Sequence, residues 1–192
     1  MILPIVAYGN TILRKVCAPI SKDFPELSTL ISNMWETLYH SNGVGLAAPQ
    51  INQAIRLFFF FFVQKEEGAD DEDKDEFKNE KPIKQVFINP TILTMQGDLW
   101  KYNEGCLSIP KIREDISRTK EVVITYQDEH FETHTQTFDG ITARVILHEY
   151  DHIEGKLFID HIAPLKKRLL KSKLEKISKG IVKVDYRMLF AK

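Results

Sequence analysis

The stretch best placed to do chemistry is His148-Glu149-Tyr150-Asp151-His152. On a helix each residue advances about 100° around the axis, so the two histidines share a face with Glu149 beside them. Two imidazoles one turn apart can grip a single metal ion, and the adjacent carboxylate can take a proton from a water on that ion. Such a site needs a third protein ligand and one open position. Three sources compete. A third histidine further along the helix motif would fall at Phe158, which rules that arrangement out. Glu175 lies at the distance a zinc endopeptidase would use, although lysines surround it. Cys106 sits in Glu104-Gly105-Cys106-Leu107-Ser108-Ile109-Pro110, where glycine, serine and proline suit an exposed bend better than a core strand. A thiolate there would be a strong ligand for zinc or ferrous iron.

The elements that must position these groups can be read from apolar spacing. Ile141, Ala143, Val145, Ile146, Leu147, Tyr150 and Ile153 leave almost no wet face around the two histidines. This predicts a central, buried helix, opened by a turn and cap at Asp139-Gly140 and stopped by Gly155. Leu27, Leu30, Ile31, Met34, Trp35, Leu38 and Tyr39 recur at helical steps after Asp23-Phe24-Pro25-Glu26, predicting an amphipathic helix that ends near Asn42-Gly43. It runs into Val44-Gly45-Leu46-Ala47-Ala48-Pro49-Gln50. That loop either links helix to strand or lets a peptide lie against its backbone. Residues 56–63, with five consecutive phenylalanines, predict a strand buried on both faces. Short strands are expected at 85–89, 91–95 and 98–102, and a hairpin from 121–127 and 131–138. Residues 65–81 carry nine acidic residues against four lysines and read as a solvated insertion. A lysine-rich helix follows Pro164; from Lys166 to Lys192 there are ten basic and two acidic residues, an anionic-partner surface at most.

At 192 residues the chain has the length of one well-buried domain, and its 43% hydrophobic and 28% charged content is that of an ordinary globular protein. A net charge of −1 gives the molecule as a whole no preference for DNA or a membrane. The longest apolar run is too short to span a bilayer, and the first residues do not form a secretion signal. With Cys17 and Cys106 far apart and no such signal, a reducing cytoplasm is expected.

Three segments in this order, Gly43-Val44-Gly45-Leu46-Ala47-Ala48-Pro49-Gln50, Glu104-Gly105-Cys106-Leu107-Ser108 and His148-Glu149-Tyr150-Asp151-His152, resemble peptide deformylase. The opening Ile5-Val6-Ala7-Tyr8-Gly9-Asn10-Thr11-Ile12-Leu13-Arg14 is similar too, so the resemblance runs from about residue 3 to 163. It departs at Leu147, where the family usually has glutamine, and in the acidic insertion and phenylalanine run. The resemblance implies co-translational hydrolysis of the N-formyl group from the first methionine of new polypeptides. Cys106, His148 and His152 would hold one divalent metal, ferrous iron by resemblance, with zinc, nickel or cobalt compatible with the same ligands. Glu149 would be the general acid and base for the attacking water, with the Leu107 amide and the Gln50 side chain stabilising the oxyanion. Val44, Ile141 and Val145 would form the methionine pocket; Gly45 and Arg113 would meet the peptide backbone. Glu104 with Arg118 could brace the cysteine loop, although a surface ion pair is the default for such residues. Asp151 could support a ligating imidazole. The expectation is one α+β catalytic domain over 1–192, with mixed, mostly antiparallel sheets around the histidine-bearing helix and a helix near the C-terminus. A monomer in the bacterial cytoplasm is expected, its basic C-terminal segment a candidate contact for the ribosome.

Overall fold

A computed structural model describes residues 1–62 and 82–191; the acidic insertion expected at 65–81 lies outside the described residues. In chain order the elements are β1 (Ile5–Val6), α1 (Leu27–His40), β2 (Gly45–Ala47), β3 (Leu57–Phe62), β4 (Ile83–Cys106), β5 (Ile109–Gln127), β6 (Thr133–Asp139), α2 (Gly140–Ile153), α3 (Pro164–Ser178) and β7 (Met188–Leu189). Strands β2 to β6 form an antiparallel sheet in sequence order, while β1 and β7 form a separate parallel pair. The fold is therefore α+β with mixed, mostly antiparallel sheets, as expected.

The phenylalanine run explains why two helices can sandwich this sheet. Successive side chains of a strand face opposite ways. Phe58, Phe60 and Phe62 pack in one cluster with Ala143, Ile146 and Leu147 of α2. Leu57 and Phe59 pack in another with Met34, Trp35 and Leu38 of α1, and Trp35 stacks on Phe59 with ring centroids 3.9 Å apart. Burying each ring contributes about 1.5–3 kcal/mol, so β3 pins α2 to one face of the sheet and α1 to the other. A third cluster joins Ile109, Ile112 and Ile116 of β5 to Leu170, Leu174 and Ile177 of α3.

Several local expectations are corrected. The stretch after Gly43 is not only a loop: Gly45, Leu46 and Ala47 pair with Phe60, Phe59 and Phe58 as the sheet's edge strand. The three short runs at 85–102 are one bent strand, β4, because pairing with β5 carries the chain across Pro90 and Gly97 through register shifts. β5 begins at Ile109, well before residue 121. Asp139 makes no side-chain cap to α2. Gly155 does end that helix, at φ +68°, where an added Cβ would lie 2.6 Å from the Arg14 carbonyl oxygen. On α3, Leu170, Leu174 and Ile177 are buried and Leu169 is exposed.

Candidate metal centre

Cys106 is the last residue of β4, Leu107-Ser108 make a two-residue turn, and Ile109 opens β5, paired with Cys106. The thiol therefore sits at the end of a long hairpin, where it meets α2. One ligand atom each from Cys106, His148 and His152 lie within 4.8 Å of one another. The Cys106 Sγ is 3.3 Å from His152 Nε2. The His148 Nδ1 is 2.9 Å from Glu104 Oε2, which leaves its other ring nitrogen available as a ligand. The bend is less exposed than its composition implied: Cys106 is half-buried and Ser108 fully buried. Burial opposes ionisation of the thiol, yet His152 and His148 draw its pKa from 9.0 down to about 5. A thiolate with two imidazoles is a donor set that fits zinc, ferrous iron, nickel or cobalt. The other close group among the described residues, Asp128, Glu132 and His134, lies on the β5–β6 turn, where Asp128 already accepts the Glu132 and His130 amides.

Glu149 faces the same space from α2. Its residue is 4% exposed and its Oε2 has no hydrogen-bond partner among the described residues. Burial raises its pKa from 4.5 to about 7. Gly45 makes room for it, since a Cβ there would lie 2.4 Å from Glu149 Oε1. Behind Gly45, the Gln50 Oε1 accepts the Ala47 N–H at 2.8 Å, turning the amide nitrogen toward Ser108 Oγ at 3.2 Å and Cys106 Sγ at 3.5 Å. These groups open on a cleft of about 1030 Å³, lined also by Val44, Leu107, Arg113 and Val145. Ile141 is buried and does not line it. Arg113 lies along the rim, hydrogen-bonded to the Asn103 side chain and carbonyl at 2.8 and 2.6 Å. Glu175 stands exposed on α3 near Lys171, away from the cleft.

Below the cluster runs a buried charge network of which the sequence suggested only part. Glu104 accepts from Arg118 Nε at 2.7 Å, Arg118 Nη2 at 3.0 Å and Arg144 Nη1 at 2.9 Å, as well as meeting His148. The Glu104–Arg118 pair is thus no surface ion pair: both residues are buried. Burial alone would raise the Glu104 pKa, but the hydrogen bonds from His148 and Arg118 hold it well below the usual carboxylate range. Asp151 does not take an imidazole nitrogen of the metal cluster; it accepts from Arg118 and pairs with His161, both at 2.7 Å. The Nδ1 of His152 has no partner among the described residues. Arg144 and His161 were missed in the sequence. The available signal was Arg144 itself, a permanent charge on a helix that otherwise reads as buried and must therefore have partners. Leu147, the departure before His148, packs in the phenylalanine cluster and supports the network only through its carbonyl, 3.4 Å from Arg118 Nη1.

The sequence matches a family model described as polypeptide deformylase over residues 2–168. It is 51% identical over 192 residues to a peptide deformylase of Christiangramia forsetii, covering 99% of this chain and 96% of the relative. A peptide deformylase of Flavobacterium johnsoniae is likewise 51% identical, over 100% of this chain and 97% of the relative. Among solved structures, a peptide deformylase from Legionella pneumophila superposes with a TM-score of 0.76 at 32% identity, covering 94% of this chain and 98% of that one. A Met-Ala-Ser-bound class I type b peptide deformylase from Acinetobacter baumannii gives a TM-score of 0.75 at 30% identity, covering 84% and 99%.

Proposed function

The chain belongs to the polypeptide deformylase family, and from that premise we infer that it hydrolyses the N-formyl group from the amino terminus of nascent polypeptides, releasing formate. The observation that carries this reading is the meeting of the Cys106 sulfur with the rings of His148 and His152 beside Glu149, whose Oε2 has no hydrogen-bond partner among the described residues.

In this reading Cys106, His148 and His152 hold one divalent metal. Bound there, the metal would acidify a water and polarise the formyl carbonyl. Glu149 accepts the proton of the attacking water and passes it to the departing amine; burial makes it a better proton acceptor than an ordinary carboxylate, which suits both halves of that task. The Leu107 amide and Gln50 Nε2 donate to the oxygen that gains charge. The edge of β2 that no strand among the described residues covers, with Gly45 on it, pairs the substrate backbone in strand fashion, which reads main chain and tolerates many sequences after the first residue. Val44 and Val145 supply apolar walls for the methionine side chain, and Arg113 contributes a cation at the rim.

Ferrous iron is the metal we assign, with nickel, cobalt and zinc admitted by the same ligands. The test is formate release from formyl-Met-Ala-Ser by protein loaded anaerobically with iron, nickel or zinc, alongside metal analysis of protein purified without air. Formate release confined to the zinc form would refute the iron assignment, and no release from any form would refute the function. Gln50→Ala is expected to lower kcat by roughly a hundredfold, because losing one oxyanion donor removes about 3 kcal/mol of transition-state stabilisation. A kcat within twofold of wild type would remove Gln50 from the site.

We read residues 1–192 as one catalytic domain, monomeric and acting in the bacterial cytoplasm where nascent chains emerge. No helix among the described residues is long and apolar enough to cross a membrane. The basic face of α3 is the proposed ribosome contact. Removing 165–192 would not test this cleanly, since residues 183–186 line the cleft and β7 pairs with β1. Charge reversal at Arg168, Lys173 and Lys176 should instead abolish salt-sensitive ribosome co-sedimentation while formate release persists. Unchanged co-sedimentation would end the ribosome assignment.

A further inference from the structure

The family match ends at residue 168, yet the chain beyond it returns to the cleft. Helix α3 stops in a glycine-capped turn: Gly180, at φ +74°, donates to the Ile177 carbonyl, and Ile181 donates to the Lys176 carbonyl. The chain then runs without helix to β7, bending at Asp185-Tyr186. Val182, Val184, Tyr186 and Met188 are half-buried, while Ile181, Lys183, Asp185 and Arg187 alternate with them as exposed residues. Val182, Met188, Leu189 and Phe190 pack against the cluster that contains Ile109 and Ile112, just past the cysteine turn. Lys183 to Tyr186 line the cleft. The Ile5 N–H donates to Arg187 O at 2.9 Å and the Ala7 N–H to Leu189 O at 2.8 Å, so the tail is stitched to β1.

The consequence falls on the turn after Cys106. Its two carbonyls point away from the sheet ladder and each has a donor from a chain terminus. Tyr8 N–H donates to Ser108 O at 2.9 Å, and the Tyr186 hydroxyl donates to Leu107 O at 2.8 Å. The Leu107 side chain is held as well, since a Cβ on Gly43 would lie 2.8 Å from its Cδ1. The Leu107 N–H belongs to the preceding Cys106–Leu107 peptide, whose other end is set by the pairing of Cys106 with Ile109. With the Leu107 carbonyl and side chain also held, rotation about the two soft Leu107 backbone bonds is restricted, and with it the direction in which that N–H aims.

We propose that the C-terminal tail is a working wall of the cleft and that Tyr186 is a positioning residue, holding the Leu107 carbonyl so that the N–H of the same residue meets the formyl oxygen. The proposal rests on the role given above to Leu107. Tyr186→Phe removes one hydroxyl and keeps the ring packing. In nickel-loaded full-length protein, kcat for formyl-Met-Ala-Ser should fall about 5- to 10-fold, the scale of one hydrogen bond, with metal content unchanged. Inhibition by Met-Ala-Ser, which has no formyl oxygen, should stay within twofold of wild type. Amide hydrogen exchange across residues 106–109 should quicken in the variant, a readout that needs no turnover. Equal kcat with equal exchange would overturn the proposal, and so would substrate and product weakening together. If wild-type protein releases no formate, the function falls, while the exchange difference still decides what Tyr186 holds.

Discussion

Glu149→Gln is expected to lower formate release by about 10²- to 10⁴-fold, the range typical for losing a positioned general acid and base, while metal content stays at the wild-type level. Glutamine matches the shape of the carboxylate and can neither accept nor return the proton. Among the described residues, the titratable groups acting on Glu149 are the proposed ligands and Glu104, whose carboxylate is already held by Arg118, Arg144 and His148, and Gly45 packs directly on the Glu149 carboxylate. Cys106→Ala provides the contrast, since it should lose metal and activity together. The pH dependence separates the two further. Burial holds the Glu149 pKa at about 7, and a cation at the adjacent cluster favours the carboxylate, so the acidic limb of the wild-type kcat/KM profile should lie below pH 7 and disappear in the glutamine variant. Stability should move the other way. A carboxyl whose folded pKa exceeds its unfolded value costs stability as pH rises from about 4.5 toward 7. Metal-free Glu149→Gln should therefore melt at or above the wild-type temperature at pH 8. A variant within tenfold of wild-type turnover would remove Glu149 from the chemistry.

What could be read from the chain was whatever depends on local periodicity or on residue type. Helix α1 follows from three- and four-residue apolar steps, α2 from a segment that leaves almost no wet face, and β3 from an apolar run that only a doubly covered strand can bury. Cys106 and the two histidines stood out because thiolate and imidazole have few uses that such spacing would serve. Long-range pairing was not legible. β4 reads as three pieces because Pro90 and Gly97 interrupt the local pattern, while the strand is continuous only through its partner β5. The two-residue strands β1 and β7 carry no periodicity at all; they exist because the tail packs on β5 and finds the N-terminal backbone there. The same limit hid the network beneath the site. Arg118, Arg144, Asp151 and His161 come from three separate stretches, β5, α2 and the turn after it, and only the fold shows that a single carboxylate, Glu104, joins two of them to His148.

That carboxylate is where stability and metal binding meet, and Glu104→Ala should expose both. The substitution leaves Arg118 and Arg144 charged in the interior, with side chains 6% and 1% exposed, and takes the acceptor from His148 Nδ1. Breaking a buried ion network by removing one partner costs about 3–5 kcal/mol. In a chain of 192 residues that corresponds to a fall of roughly 6–20 °C in Tm, measurable by thermal denaturation. The pH dependence has a definite sign. Because Glu104 is held below its ordinary pKa of 4.5 by His148 and Arg118, its contribution is complete above that value and is lost as pH falls through the lowered one. The gap between wild type and variant should therefore be widest near neutrality and narrow in acid. Metal affinity should drop about 10- to 100-fold, since a ligating imidazole loses the group that orients it, even though Cys106, His148 and His152 are all intact. A variant that melted within 1–2 °C of wild type and kept its metal would mean that Arg118 and Arg144 find other partners, and that the hairpin end is held to α2 by packing alone.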